Sequence, residues 1–398
     1  PLVASPAECH GMCYGVEAQR DGWSAPRIVA ACGSQARPGY DSMTADEYED
    51  APEVLAAKAE LLVDLIRRST CCVVYSGAGL STSAGIGDYA SHAPETRSGA
   101  MAGGSFRSPL CAQPTAAHGT LVALHRFGRV HRWVNQNHDG LPQKAGLPQE
   151  AINEIHGAWH APDNPVIPMS GALREDLFAD LLDCAARADL VVAVGTSLSG
   201  MNADRLVIDA ARRAEERGAG QLGAVIVGLQ RTVHDAEATL RIFARCDEVF
   251  ARVAAALEVD VPPPPPAGEF FVPLALEGRS EDQLLFHGLR YDAAGCRADE
   301  PCTSLDLRED AQLVITGGLH AGACGEVVGM DREGNIKCRF ILRPAVGKLR
   351  APMELILGRW WIQAAVDATV PRLPVVNAPD GTSPAVERLR DLIAKYAA

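Results

Sequence analysis

Unbroken apolar runs and amphipathic stretches alternate through the first two thirds of the chain. Residues 71–75, 190–194 and 224–227 are continuous apolar runs, the pattern of parallel strands buried on both faces. Between them, Leu55, Ala59, Leu62 and Ile66 recur at four- and three-residue spacing and predict a helix over 52–68. Ala117, Leu121 and Leu124 predict another over 116–127, 129–134 reads as a short strand, and 177–187 and 203–217 read as further helices. Strand alternating with helix over this span predicts an α/β fold with a doubly wound, mostly parallel sheet.

The texture changes on either side. Residues 1–50 carry no sustained periodicity and read as an irregular extension, leaving 51–260 as the α/β domain. Five prolines, Pro262 to Pro266, mark a stiff linker over 261–267 that also has the composition of a ligand for proline-recognising grooves. Residues 268–377 read as a small C-terminal β-rich domain, with strands near 313–318, 325–329 and 336–342 and a hairpin turn over 331–335. The stretch from Ser383-Pro384 reads as a closing helix within 378–398.

Composition narrows the classes. A net charge of −13, with 47% apolar and 22% charged residues, describes an ordinary globular protein and argues against general adhesion to nucleic acid or anionic membranes. Lys337, Arg339, Arg343, Lys348 and Arg350 give the C-terminal part local positive charge, which serves either as a solvated face or as a nucleic-acid footprint, the former being expected. No apolar run reaches the ~18 residues of a membrane-spanning helix, so the expectation is a soluble intracellular protein without membrane insertion. The 12 cysteines include no Cys-x-x-Cys pair and read as reduced, largely buried thiols.

The candidate chemistry begins where the first apolar run ends. Ser76-Gly77-Ala78-Gly79-Leu80-Ser81 is a Gly-x-Gly turn between a buried strand and a helix start, a place where backbone approaches a pyrophosphate closely. Alone it serves equally as an ordinary strand-to-helix turn, and Thr82 stands where the dinucleotide fingerprint has its third glycine. Downstream come Pro114-Thr115-Ala116-Ala117-His118, then Gln136-Asn137-His138-Asp139-Gly140-Leu141 with Ala145-Gly146, then Glu154-Ile155-His156-Gly157, then Val194-Gly195-Thr196-Ser197.

In that order these motifs resemble the sirtuins, the NAD-dependent protein lysine deacylases, over residues 53–259. The resemblance implies a Rossmann-like fold and NAD as cosubstrate. It implies that Gly77, Ala78, Gly79 and Ser81 line the phosphate cradle and that Asp88 and Tyr89 belong to a cofactor loop. Gln136, Asn137 and Asp139 match the contacts to the nicotinamide and its ribose. Gly195, Thr196 and Ser197 match the adenosine side, Cys246 the loop against adenine, and His156 the catalytic histidine. In the implied reaction the acyl oxygen of a modified lysine attacks the anomeric carbon of NAD and nicotinamide leaves. His156 then acts as general base on a ribose hydroxyl, a task that suits an imidazole titrating near neutrality. His118 is expected to orient a helix. His138, where the family carries an aliphatic residue, reads as a core histidine, a specificity element or a second titrating group.

The chain departs from the family in four places. The family's zinc module, built from two Cys-x-x-Cys pairs, would lie within 157–194, which holds one cysteine, Cys184. Structural zinc takes four ligands, and His160 with Cys184 falls short of that, so no metal site is expected. Val166-Ile167-Pro168-Met169-Ser170-Gly171 replaces a wall segment of the acyl-lysine tunnel, with Met169 in place of the aromatic. Ala90 stands where the cofactor loop has an arginine, for which Arg97 is a candidate substitute, and Gly228 stands where the family has an asparagine. A weaker resemblance, to KOW-type β-barrels, covers about thirty residues of the C-terminal part.

Two functional readings remain open: a zinc-independent deacylase acting on acylated lysine in a protein or peptide, and a degenerate sirtuin fold serving as scaffold or subunit of a larger assembly. Retention of His156, Asn137 and Asp139 favours the first, while Ala90, Gly228 and the missing zinc clamp favour the second.

Overall fold

A computed structural model of the chain describes residues 23–31, 44–87, 112–167, 171–199, 202–217, 220–261, 284–331, 334–342 and 352–379. Near the start, β1 (Arg27–Ala30) and β2 (Glu47–Glu49) pair antiparallel. The main sheet is built from β3 (Cys72–Ser76), β4 (Arg132–Asn135), β5 (Ile152–Glu154), β6 (Leu190–Val194), β7 (Gly223–Val227) and β8 (Leu240–Ile242). All six strands are parallel, in the order β5-β4-β3-β6-β7-β8. The chain runs outward from β3 to β5, crosses back to lay β6 on the other side of β3, and runs outward again to β8. The loops leaving the carboxyl ends of β3 and β6 therefore part in opposite directions, which is where open parallel sheets form a ligand crevice.

Burial on both faces explains the apolar runs. Every residue of β3, β6 and β7 is buried. One face is covered by the helices Pro52–Arg68, Ala116–Arg126 and Cys246–Leu257, whose Leu62, Leu121, Leu124, Val249 and Phe250 meet Val74, Trp133 and Val192. The other is covered by Glu175–Arg187 and Arg205–Arg217, with Leu181, Leu206 and Val207 against Val73, Val134 and Ile226.

The expected irregular extension departs from its description near its end. Glu47 bridges Gln230, the Tyr48 N–H donates to the Leu229 carbonyl at 2.8 Å, and Tyr48 packs on Phe243. Asp50 is tied down twice: its carboxylate accepts from the Phe243 N–H at 2.8 Å and from Lys58 Nζ at 2.7 Å, both partners being buried. Burial pulls the Lys58 ammonium below its usual range, and the facing Asp50 carboxylate offsets part of that. Beside this pair, Arg241 is buried against Asp235 at 2.8 Å and donates to the carbonyls of Gly228 at 3.0 Å and Ile242 at 2.6 Å.

Further along the chain, β9 (Leu285–Leu289) and β10 (Thr303–Asp306) pair antiparallel. β11 (Gln312–Ile315), β12 (Cys324–Met330), β13 (Ile336–Ile341), β14 (Pro352–Leu357) and β15 (Val375–Asn377) form an antiparallel sheet in the order β14-β13-β12-β11-β15. The expected turn between β12 and β13 is held by Asp331, whose carboxylate accepts from the Asn335 N–H at 2.8 Å. The helix Arg359–Val366 lays Trp361 and Ile362 into the core of this domain.

The five prolines, the closing helix, Arg343, Lys348, Arg350, Asp88, Tyr89, Ala90, Arg97 and Met169 lie outside the described residues. Among the described residues no helix is long and apolar enough to cross a membrane.

Removing one partner of a buried ion pair strands the other charge. Asp50→Asn is therefore expected to destabilise the chain by about 3 kcal/mol, read as a lower urea midpoint, and an unchanged midpoint would refute the structural role of the pair.

Candidate functional site

Two glycine turns lock against each other at the carboxyl ends of β3 and β6. The Gly77 N–H donates to the Val194 carbonyl at 3.0 Å and the Gly79 N–H to the Gly195 carbonyl at 2.8 Å. A Cβ on Gly77 would lie 2.9 Å from Gly195 O and Thr196 Cα, and one on Gly79 2.9 Å from Gly195 O. Gly195 itself has φ +59°, and a Cβ there would sit 2.2 Å from Leu80 N. Only glycine permits this approach of backbone to backbone. The Gly77 and Gly79 amides are thus spent inside the protein, and these glycines shape the floor rather than reach for a ligand. Ala78, Gly79, Gly195, Thr196 and Ser197 are the partly exposed surface of that floor.

A buried polar network joins this floor to the loop after β4. Ser81 Oγ donates to Asp139 Oδ2 at 2.6 Å, and Asn137 Nδ2 donates to Ser81 Oγ at 3.1 Å and to the Gly77 carbonyl at 3.0 Å. Asp139 Oδ1 accepts from the Leu141 N–H at 3.0 Å, and Gln136 Nε2 donates to Thr196 Oγ1 at 3.0 Å, crossing from the β4 loop to the β6 loop. Ser76 Oγ donates to Asn135 Oδ1 at 2.8 Å and accepts from Trp133 Nε1 at 2.7 Å. Ser76 and Asn135 were absent from the sequence-derived site. Each is a polar residue closing an apolar strand, and that position was the signal available.

His156 follows β5 on the same edge. Its Nε2 has no hydrogen-bond partner among the described residues, and a bond to the Gln136 backbone favours its protonated form. Burial outweighs that bond and, with His138 nearby, pulls its pKa down to about 4. This corrects the expectation of an imidazole titrating near neutrality: desolvation keeps the ring neutral, with an acceptor nitrogen free. His138 Nδ1 bonds the Gly157 carbonyl at 2.8 Å and its ring packs on Trp159, so it is held rather than free.

His118 is structural, as expected. With Thr115 it forms the N-terminal cap of the helix Ala116–Arg126, its ring stacks on Trp133, and burial pulls its pKa to about 4. Cys246 opens the helix Cys246–Leu257 with Sγ 4.0 Å from the Gly79 carbonyl, and burial pushes its thiol up to about 12. Gly228 follows β7; a Cβ there would meet only Gly195 at 3.9 Å, ordinary contact that leaves room for a side chain.

The interval 157–194 contains a tight turn and the helix Glu175–Arg187, and Cys184 faces the sheet core. His160 is buried and held neutral, at about 3, so its 3.6 Å approach to Glu154 is not an ion pair. Burial pushes the Glu154 carboxyl up to about 7 and that of Asp163 to about 6. Among the described residues no group of three or more His, Cys, Asp or Glu is placed to hold a metal ion. The C-terminal domain rests on this turn: a Cβ on Gly318 would overlap the Asp163 carbonyl, and Trp360 packs on His160 with ring centroids 5.0 Å apart.

No family model matches the chain. A NAD-dependent protein deacetylase of Cutibacterium acnes is 31% identical over 192 residues, covering 35% of this chain and 78% of that protein. The NAD-dependent protein deacetylase SRT1 of Arabidopsis thaliana is 30% identical over 258 residues, covering 54% of this chain and 53% of SRT1. Human NAD-dependent protein deacetylase sirtuin-7 is 26% identical over 264 residues, covering 54% of this chain and 64% of sirtuin-7. The chain spans about half the length of the plant relatives it matches.

The buried titrating groups set an acid response with a defined sign. His118, His156 and His160 have folded values below the ordinary 6.5 of a free imidazole, so the unfolded chain binds more protons and their stabilisation is lost as pH falls from 6.5 towards 4. Glu154 and Asp163, raised from 4.5 and 3.8, act oppositely over the same window, three histidines outweighing two carboxyls. Urea midpoints are expected to fall between pH 6.5 and 4.5, and more steeply in Glu154→Gln. A midpoint that rises on acidification would contradict the burial of these histidines.

Proposed function

The chain belongs to the sirtuin family, and from that membership and the site's geometry we propose that it is a NAD-dependent protein lysine deacylase acting on acylated lysine in a protein or peptide. The observation that carries this reading is the meeting, at one edge of the sheet, of a glycine floor, the network of Ser81, Asn137 and Asp139, and the unpartnered Nε2 of His156.

The residues fit the nucleotide. With the Gly77 and Gly79 amides engaged inside the protein, the partly exposed main chain of Ala78, Gly79, Gly195, Thr196 and Ser197 is the surface on which a pyrophosphate would rest. Bound NAD supplies the anomeric carbon at which the acyl oxygen of the substrate attacks and from which nicotinamide departs. Gln136, Asn137 and Asp139 orient the nicotinamide half, and Gly195, Thr196 and Ser197 hold the adenosine half. Cys246 supports the floor from behind as an inert thiol. His156, neutral at physiological pH, accepts a ribose hydroxyl proton at Nε2 while the Gln136 backbone steadies the imidazolium. Asp88 and Tyr89 complete the cofactor loop in this reading.

Gly228 supports the second reading, a sirtuin fold used as a scaffold or subunit, since no side chain there reaches towards the adenosine half. The space beside it makes the point testable: Gly228→Asn is expected to tighten NAD binding several-fold by calorimetry, and weaker binding would show that Gly228 is required.

Nicotinamide release from NAD with a panel of acylated lysine peptides tests the main reading. Release should require peptide, and peptide deacylation should fall by about 10²–10⁴-fold in His156→Ala and hold its plateau as pH is lowered from 8 to 6. An acid limb centred near pH 7 would contradict the desolvated histidine, and absence of release with every peptide would leave the scaffold.

A further inference from the structure

Trp360 belongs to the C-terminal domain, yet its indole ends against the loop that follows β4. Its ring lies 5.0 Å from that of His160, tilted by 54°, and Lys144 Nζ sits 4.4 Å above its face. A glycine flanks it on each side of the domain boundary. A Cβ on Gly140 would fall 2.7 Å from Trp360 Cζ2, and one on Gly358 2.6 Å from Cη2. The indole is buried, and so are Gly140 and Lys144.

Gly140 is the residue after Asp139. It stands in left-handed backbone at φ +65°, and its carbonyl accepts from the Lys144 N–H at 3.0 Å. It opens the one-turn helix Leu141–Lys144, closed by the Lys144 and Ala145 N–H groups on the Gly140 and Leu141 carbonyls, and Gly140 itself lies directly against the indole. The indole is its lid: a large apolar area, and a ring face for an ammonium desolvated with it. Asp139 in turn accepts from Ser81, which receives Asn137. One chain of contacts thus runs from the C-terminal domain to the glycine floor. Elsewhere among the described residues Gly317, Gly318 and Arg372 lie around Asp163, a contact distinct from the one the indole makes.

We propose that Trp360 is a positioning residue, through which the C-terminal domain fixes the turn 139–144 and so sets Asp139, Ser81 and Asn137 for the nucleotide. The inference rests on the reading of Asp139 as a residue of the NAD site. The C-terminal domain is then part of the catalytic unit.

The test uses the full chain and three variants. Trp360→Ala removes the indole, and Trp360→Phe keeps an aromatic face. Gly358→Ala, at φ −67° and ψ 140°, where alanine is unstrained, displaces the ring without deleting it. Hydrogen exchange without ligand should accelerate by about 10-fold or more over 138–145 in Trp360→Ala and Gly358→Ala, while β6 keeps wild-type protection. In the deacylation assay both variants should raise KM for NAD by about 10-fold with a smaller change in kcat, and Trp360→Phe should recover most of the loss. If Trp360→Ala does not fold, Gly358→Ala carries the same reading. Wild-type exchange over 138–145 in a folded Gly358→Ala, or an NAD KM unmoved in a variant whose turn has loosened, overturns the proposal. Accelerated exchange in a chain that releases no nicotinamide removes the deacylase reading and leaves the mechanical coupling standing.

Discussion

The site depends on the contact between two backbone turns. Residues 77–79 and Gly195 approach so closely that a single methyl group at any of the three glycines meets main-chain atoms at 2.2–2.9 Å. That contact lies between β3 and β6, where the topology reverses, so it sets the separation of the two loops that form the crevice. It also exposes backbone on the crevice floor. Several polar residues of the candidate site are placed relative to it: Asn137 through the Gly77 carbonyl, Ser81 through Asn137, and Gln136 through Thr196.

Around this contact the protein buries polar groups and satisfies most of them in pairs. Asp50 and Lys58, and Asp235 and Arg241, anchor the outer strands and the segment that precedes the first helix. Among the described residues His156 Nε2 is one of the buried atoms left without a partner, as are His118 Nε2 and both ring nitrogens of His160, and it is the one that follows β5 beside Gln136. A buried acceptor without a donor carries a desolvation cost that a ligand hydroxyl would relieve. The depressed pKa of His156 is the electrostatic expression of the same burial, while His138 has its Nδ1 engaged with the Gly157 carbonyl.

Much of this was legible in the sequence because its causes are local. Full burial of β3 and β6 requires continuous apolar runs, the close turns require glycine, and the helix Pro52–Arg68 shows its buried face at regular spacing. The three-residue strands β2, β5 and β8 are too short to carry a period, and their pairing depends on distant partners such as Gln230 and the β4 and β7 strands. The pKa of His156 was misjudged for a similar reason: local sequence names the imidazole, while its desolvation comes from the whole fold. The contact of Trp360 with Gly140, Lys144 and His160 has no local sequence signal, because those neighbours come from distant parts of the chain.

The most direct test of the central claim is a crystal structure of the full chain with NAD. The claim predicts pyrophosphate over the turns at residues 77–79 and 195–196, with the nicotinamide ribose on the side of Asn137 and His156. Nucleotide bound away from those turns, or a crevice that excludes it at saturating NAD, would contradict it.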